Sequence, residues 1–236
     1  MEVKELKNYG KPLIETTYGM PKEVGKEVMK SIMSILKKHL GLLGVMQFTF
    51  LITKEMRMML KERFISVRGK GLKNEKFIKQ LVRHAAFYSV LLKMKGREKA
   101  NEILDEIAEL AAAKVSPSIF PTAEDFGKFD DSFEAFKEWY LALVDADQKA
   151  GAQFFEVVEN TGDALQINYT YCVWFEIPKK LGVEEACLSS CNADDLFFPD
   201  YCREIGVGFK RAGIIAKGAD CCDFRFERVK DNPGAN

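Results

Sequence analysis

The sequence predicts an α+β protein in which a helix-rich N-terminal half packs against a C-terminal antiparallel β-sheet. Two observations carry this. Up to about Gln148, apolar residues recur at three- and four-residue intervals, as amphipathic helices require; after Gly151 the interval drops to two, as strands require. A chain of 236 residues suffices for one domain with a generous core. Residues 1–236 are therefore expected to form a single domain, with a helical half over 1–130, a mixed half over 131–230 and a loose tail over 231–236.

The helices follow in order. From Pro21 to Gly41, Val24, Val28, Ile32, Ile35 and Leu36 fall on one face, with Pro21 suited to the first turn and Gly41 to the end. Leu42 to Phe64 is apolar nearly all round, which predicts a helix packed on several sides, its Met46, Met56, Met58 and Met59 acting as adaptable core filler. Val67 to Asn74 has two glycines among basic residues but neither the spacing of a phosphate loop nor a preceding strand, so it reads as a helix-to-helix connection. Asn74 to Lys95 and Arg97 to Lys114 read as two further helices, the first with Phe77, Leu81, Ala85, Tyr88, Leu91 and Leu92 inward. Val115 to Asp131, with two prolines and a glycine, reads as a linker, and Asp131-Ser132 starts a helix through about Gln148 whose apolar side carries Phe133, Phe136, Trp139, Tyr140 and Leu143.

Beyond Gly151 the alternation predicts strands at Phe155 to Val158 and at Leu165 to Phe175. In the second run Leu165, Ile167, Tyr169, Tyr171, Val173 and Phe175 share one face, which puts Cys172 on the other with the polar Gln166, Asn168 and Thr170. Gly182 to Asn192 reads as a short helix. Ile205 to Lys217 and Cys222 to Val229 read as two strands paired across Gly218 to Cys221.

Charge excludes some functions. Lys plus Arg and Asp plus Glu stand at 35 each, so no global basic field exists to attract nucleic acid, and none is expected as a partner. The first residues lack the pattern of a secretory signal, which predicts a cytoplasmic protein. The most apolar stretch, Leu40 to Ile52, is about 13 residues where a span needs roughly 20. It is expected to be a buried helix, and no membrane partner is expected. An oligomer is compatible with the sequence.

The six cysteines, Cys172, Cys187, Cys191, Cys202, Cys221 and Cys222, all fall in the last third. In a reducing compartment that points to core packing, a reactive thiol or metal ligation rather than disulfides. Cys187 and Cys191, four apart on a helix, share a face as two ligands or a redox pair would. Against this, cysteine also packs as a small hydrophobe, and no CxxC or zinc-finger spacing occurs. Both histidines, His39 and His84, sit on helices far from the cysteines in sequence, so a Cys-His dyad has no local support.

The run CLSSCNADD followed by GFKRAGIIAKGADCCDFRF resembles the closing signature of the L-2-amino-thiazoline-4-carboxylic acid hydrolase family, over roughly Asn168 to Phe226. The matching positions are Cys172, Cys191, Asp194, Arg211, Gly218, Cys222 and Asp223, whereas Cys187, Cys202 and Cys221 are extra. The resemblance implies opening of a thiazoline ring that bears an amino group and a carboxylate, giving N-carbamoyl-cysteine. Arg211 would then hold the substrate carboxylate, with Asn168 and Gly218 beside it. Cys172, Cys191 and Cys222 would supply a nucleophilic thiolate, with Asp194 or Asp223 handling protons, or a set of ligands for a divalent metal such as zinc. The same ending is also similar to 4-vinyl reductase type domains, and this keeps open a non-enzymatic alternative: a small-molecule, metal-binding or redox-sensing module.

Overall fold

Residues 1–67 and 75–229 are described by a computed structural model of the chain; the 68–74 part of the expected connection and the expected tail over 231–236 lie outside the described residues. The order is α1 Leu13–Tyr18, α2 Lys22–Val67, α3 Glu75–Leu110, a π-helical turn Ala111–Val115, α4 Ser116–Ile119, α5 Ala123–Phe126, α6 Ser132–Lys149, β1 Gln153–Asn160, β2 Ala164–Cys172, α7 Val173–Lys180, α8 Leu188–Glu204, β3 Val207–Lys210 and β4 Cys222–Arg228. The four strands form one antiparallel sheet in the order β1-β2-β4-β3. The fold is therefore α+β, with helices in the N-terminal half and the sheet at the C-terminal end.

The helical half is organised around α2 and α3, which run antiparallel and each break at a glycine. Gly41 (φ 69°) and Gly96 (φ 77°) occupy the left-handed region that side chains disfavour. These are the ends expected for the helices starting at Pro21 and Asn74. Leu36, Leu40, Val45 and Phe48 of α2 bury against Ile78, Leu81, Ala85 and Leu91 of α3, and the same core continues into Val173 and Ile177 of α7. A second core lies between the sheet and α6 and α8: Phe136, Trp139 and Tyr140 meet Leu165, Ile167, Phe224 and Phe226 on one side and Phe198 and Tyr201 on the other. The Asp131 side chain caps α6 by accepting from the Glu134 N–H.

Several expectations need correction. The helix over Leu42 to Phe64 is not packed on several sides: Leu42, Leu43, Met46 and Phe50 are 69, 81, 64 and 73% exposed, and of the methionines assigned to the core only Met59 is buried. The strand expected to reach Phe175 stops at Cys172, because Val173 and Ile177, four apart, bury together in the helical core as the inward face of α7. Of Ile205 to Lys217 only Val207–Lys210 pairs. Beyond it, the Ala212 and Gly213 N–H groups donate to the Asp223 carboxylate instead of to a strand. The helix expected over Gly182 to Asn192 is a 3-10 turn followed by α8, which continues to Glu204. The supposed linker from Val115 to Asp131 contains α4 and α5 and buries Phe120 and Phe126 in the second core.

Candidate functional site

Between the sheet, α6, α8 and the short α1 and α4 lies a cavity of about 180 Å³. Its walls are mostly apolar, with Leu13, Ile119, Leu143, Trp174, Phe198 and Phe224 among them. Cys172, Cys191, Asp194, Arg211 and Cys222 also line it, so five positions spread over fifty residues of chain open on one space. They come from β2, α8, the loop after β3 and the start of β4. Cys172 is the last residue of β2, paired with Gln153 across the β1–β2 ladder and receiving a weak hydrogen bond from the Gln153 side chain at 3.9 Å. Cys222 begins β4 on the same face as the buried Phe224 and Phe226, and its sulfur accepts from the Ile215 N–H. Cys191 and Asp194 lie one turn apart on α8, whose Ala193, Phe197 and Phe198 anchor it.

Arg211 organises this end of the site. Its side chain is 1% exposed, and its guanidinium donates to Asp195 (Nε, 2.9 Å), Asp194 (Nη1, 3.2 Å) and the Cys191 carbonyl (Nη2, 2.6 Å) while lying 5.0 Å over the Phe224 ring. With those donors committed to α8, Arg211 presents no open fork to a ligand carboxylate; it fixes Asp194 and the adjoining turn of α8. The Asp194 side chain is 40% exposed, yet desolvation outweighs the Arg211 charge and raises its carboxyl to about 7.

Burial also raises the thiols: Cys172 to about 12, with Cys191 nearby adding to it, and Cys222 to about 11. Cys191 is raised by the neighbouring Cys187 thiol and by burial. All three therefore rest as neutral thiols near neutral pH, without the depressed pKa that marks an activated nucleophile. A zinc ion with bonds of ~2.3 Å would need its sulfur ligands about 3.8 Å apart. Among the described residues, the trio of possible ligands whose donor atoms all lie within 4.8 Å of one another is His39, Glu102 and Glu106 on the α2–α3 pair, not Cys172, Cys191 and Cys222.

The other expected site residues serve the fold. Asp223 accepts from the Ala212 N–H at 2.9 Å and from the Gly213 N–H, which clamps the loop after β3 to β4. A side chain at Gly213 would meet the Cys221 carbonyl at 2.7 Å. Gly218 ends a 3-10 turn at φ 95°. Asn168 sits opposite Asp223 on the outer side of β2 and accepts from Gln166. None of the three lines the cavity. Cys187 and Cys202 are fully buried and pack as small hydrophobes. His84 bonds the Ala186 carbonyl at 2.6 Å and His39 bonds Glu106 at 2.7 Å, and neither lines the cavity.

Sequence reasoning missed Asp147, on the cavity wall and 1% exposed. Its Oδ1 accepts the Leu13 N–H at 2.8 Å, yet burial pushes its carboxyl up to about 7. The signal was present: Phe133, Phe136, Tyr140 and Leu143 set an inward face whose next position is 147, and an acid there has no packing reason. Tyr140 and Tyr169, hydroxyl to hydroxyl at 2.8 Å, complete the polar lining.

The fold and cavity together define a class: an α+β protein with a carboxylate- and thiol-lined cavity between a helical layer and an antiparallel sheet. The model of the L-2-amino-thiazoline-4-carboxylic acid hydrolase family matches residues 74–226, well over half of the chain, and the protein belongs to that family. Membership supports a hydrolase-like role. No curated protein matches the chain.

Proposed function

We propose that the protein opens a small cyclic amidine by adding water, with 2-amino-thiazoline-4-carboxylate going to N-carbamoyl-cysteine as the substrate the family name points to. The observation that supports this most is the pair Asp147 and Asp194, two carboxyls raised to about 7 that open on the same largely apolar cavity from α6 and α8. An amidinium is a planar cation with paired N–H donors, and a buried carboxylate is its natural partner. A carboxyl that titrates near neutrality is also matched to proton transfer at working pH.

In this reading Asp147, when ionised, pairs with the amidinium, and Asp194 takes a proton from water as the water oxygen bonds to the ring carbon between nitrogen and sulfur. The tetrahedral intermediate collapses with cleavage of the carbon–sulfur bond. The electron pair leaves with sulfur, which receives the proton held by Asp194, while the proton on the former water oxygen passes to the Asp147 carboxylate as the urea carbonyl forms. One water is consumed, and a urea carbonyl and a free thiol appear. Arg211 positions Asp194. Cys172, Cys191 and Cys222 contribute neutral S–H donors beside the departing sulfur, consistent with their raised pKa values.

The test is turnover by site variants. Asp194→Asn should lose roughly 100-fold or more in kcat, the usual loss for a positioned acid–base group, while binding persists, and Asp147→Asn, which removes the partner of the amidinium, should weaken binding as well as turnover. Full activity in both variants would remove the residues the reading rests on. Binding of the thiazoline without turnover by the unaltered protein would favour the binding-module alternative.

A further inference from the structure

The charge that balances over the whole chain is strongly polarised along it. Leu42 to Arg97 contains thirteen Lys and Arg against three Glu and no Asp, so the remaining chain carries 22 against 32. This basic segment coincides with the second limb of α2 and the first limb of α3. On α2 the exposed Leu42, Leu43, Met46 and Phe50 share their surface with the uncharged Gln47, Thr49 and Thr53. Exposed cations stand at both ends: Lys37 and Lys38 before the patch, Lys54, Arg57 and Lys61 after it. Between Met29 and Lys61 the one carboxylate on α2 is Glu55, which is buried and bonded to Ser89 and Lys93.

An uncharged apolar face whose own helix carries only cations at its flanks, Lys38 among them sharing its charge with Glu106 of α3 at 2.7 Å, has the chemistry of a helix that lies in a lipid headgroup layer, its apolar side chains among acyl chains and its lysines reaching anionic phosphates. From this we infer that α2 docks the protein in-plane on an anionic membrane surface through Leu42, Leu43, Met46 and Phe50. By length and composition alone an 18-residue window within Lys22–Lys61 is apolar enough to cross a bilayer, although the helix breaks at Gly41. However, Leu36, Leu40, Val45 and Phe48 commit the opposite side of the helix to α3, so it rests on the surface and does not cross. The expectation of no membrane partner rested on length, which bears on spanning alone.

Other occupants fit less well. In a two-fold pairing of α2 with its copy centred on the patch, the antiparallel arrangement faces Lys37 and Lys38 with Lys54 and Arg57, and the parallel one faces each cluster with itself, so like charges meet either way. A nucleic acid would use the cations but leave the apolar centre without a partner. The surface lies outside the family-matched residues 74–226 and is independent of the cavity chemistry.

Vesicle flotation of the full chain tests this. The protein should float with phosphatidylcholine vesicles containing phosphatidylglycerol and bind pure phosphatidylcholine roughly 10-fold less or worse, with added salt weakening the association. Leu43→Ser combined with Phe50→Ser should abolish flotation while leaving the melting temperature unchanged, since both side chains are already in water. Lys54→Glu with Arg57→Glu should remove the preference for phosphatidylglycerol. Failure to float with either vesicle would overturn the inference. So would a dimer in solution that the serine variant dissociates, or RNA binding that this variant leaves intact alongside no vesicle binding.

Discussion

Asp147 offers a test of the site that needs no substrate. Its carboxyl, 1% exposed and raised from 3.8 to about 7, is more costly to ionise in the folded protein than in the unfolded chain. The native state therefore holds its proton over a range in which the unfolded state has released it. The stability attached to this group is present in full below about pH 4 and is lost as pH rises through about 7. The shift of about 3 units, at 1.36 kcal/mol per unit, amounts to about 4 kcal/mol. Asp147→Asn keeps an oxygen to accept the Leu13 N–H but cannot ionise. In urea titrations its stability relative to the unaltered protein should be near zero or slightly negative at about pH 3 and should climb to a gain of about 4 kcal/mol by about pH 8. Subtracting the two curves removes every other titrating group, including Asp194. A difference that stays flat with pH, or a variant that is the less stable one at about pH 8, would show that burial does not hold this carboxyl protonated.

Arg211→Lys should cost about 3 kcal/mol, because an ammonium cannot bridge Asp194, Asp195 and the Cys191 carbonyl together; urea unfolding at neutral pH checks it. Alkylation of the native protein followed by peptide mass mapping should label Cys221 first and Cys187 and Cys202 last, since the former lies outside both cores and the latter two are fully buried. Gly96→Ala should lower stability by about 1 to 2 kcal/mol through its φ of 77° alone, because no atom lies within 4 Å of an added Cβ.

Much of the fold was legible because the helical and strand periods differ and because glycines punctuate the helices where chain direction changes. Gly41 and Gly96 marked breaks, and Asp131-Ser132 marked the start of α6, because the physics there is local. What misled was tertiary. Val173 to Phe175 carries strand-type residues, yet the neighbouring helical core recruits Val173 and Ile177 as one helical face. The apolar ring of α2 looked buried because composition records hydrophobicity and not whether a partner exists to cover it. In the site, the motif residues were readable but their division of labour was not. Asp223 and Gly218 shape the loop between β3 and β4, whereas Asp194 opens on the cavity, and only the folded chain separates those roles. Asp147 was visible as an acid on an apolar face, but its meaning depended on the cavity formed by residues over 130 positions earlier and dozens later.

The most direct test of the central claim is the reaction itself. Purified protein incubated with 2-amino-thiazoline-4-carboxylate should release one free thiol per substrate consumed. The product should carry the mass of the substrate plus one water, and in water labelled with heavy oxygen the label should sit on the urea carbonyl. The rate should rise with pH through about 7 as Asp147 and Asp194 ionise. Absence of the thiol product from folded protein over this pH range, with the substrate recovered intact, would contradict the account.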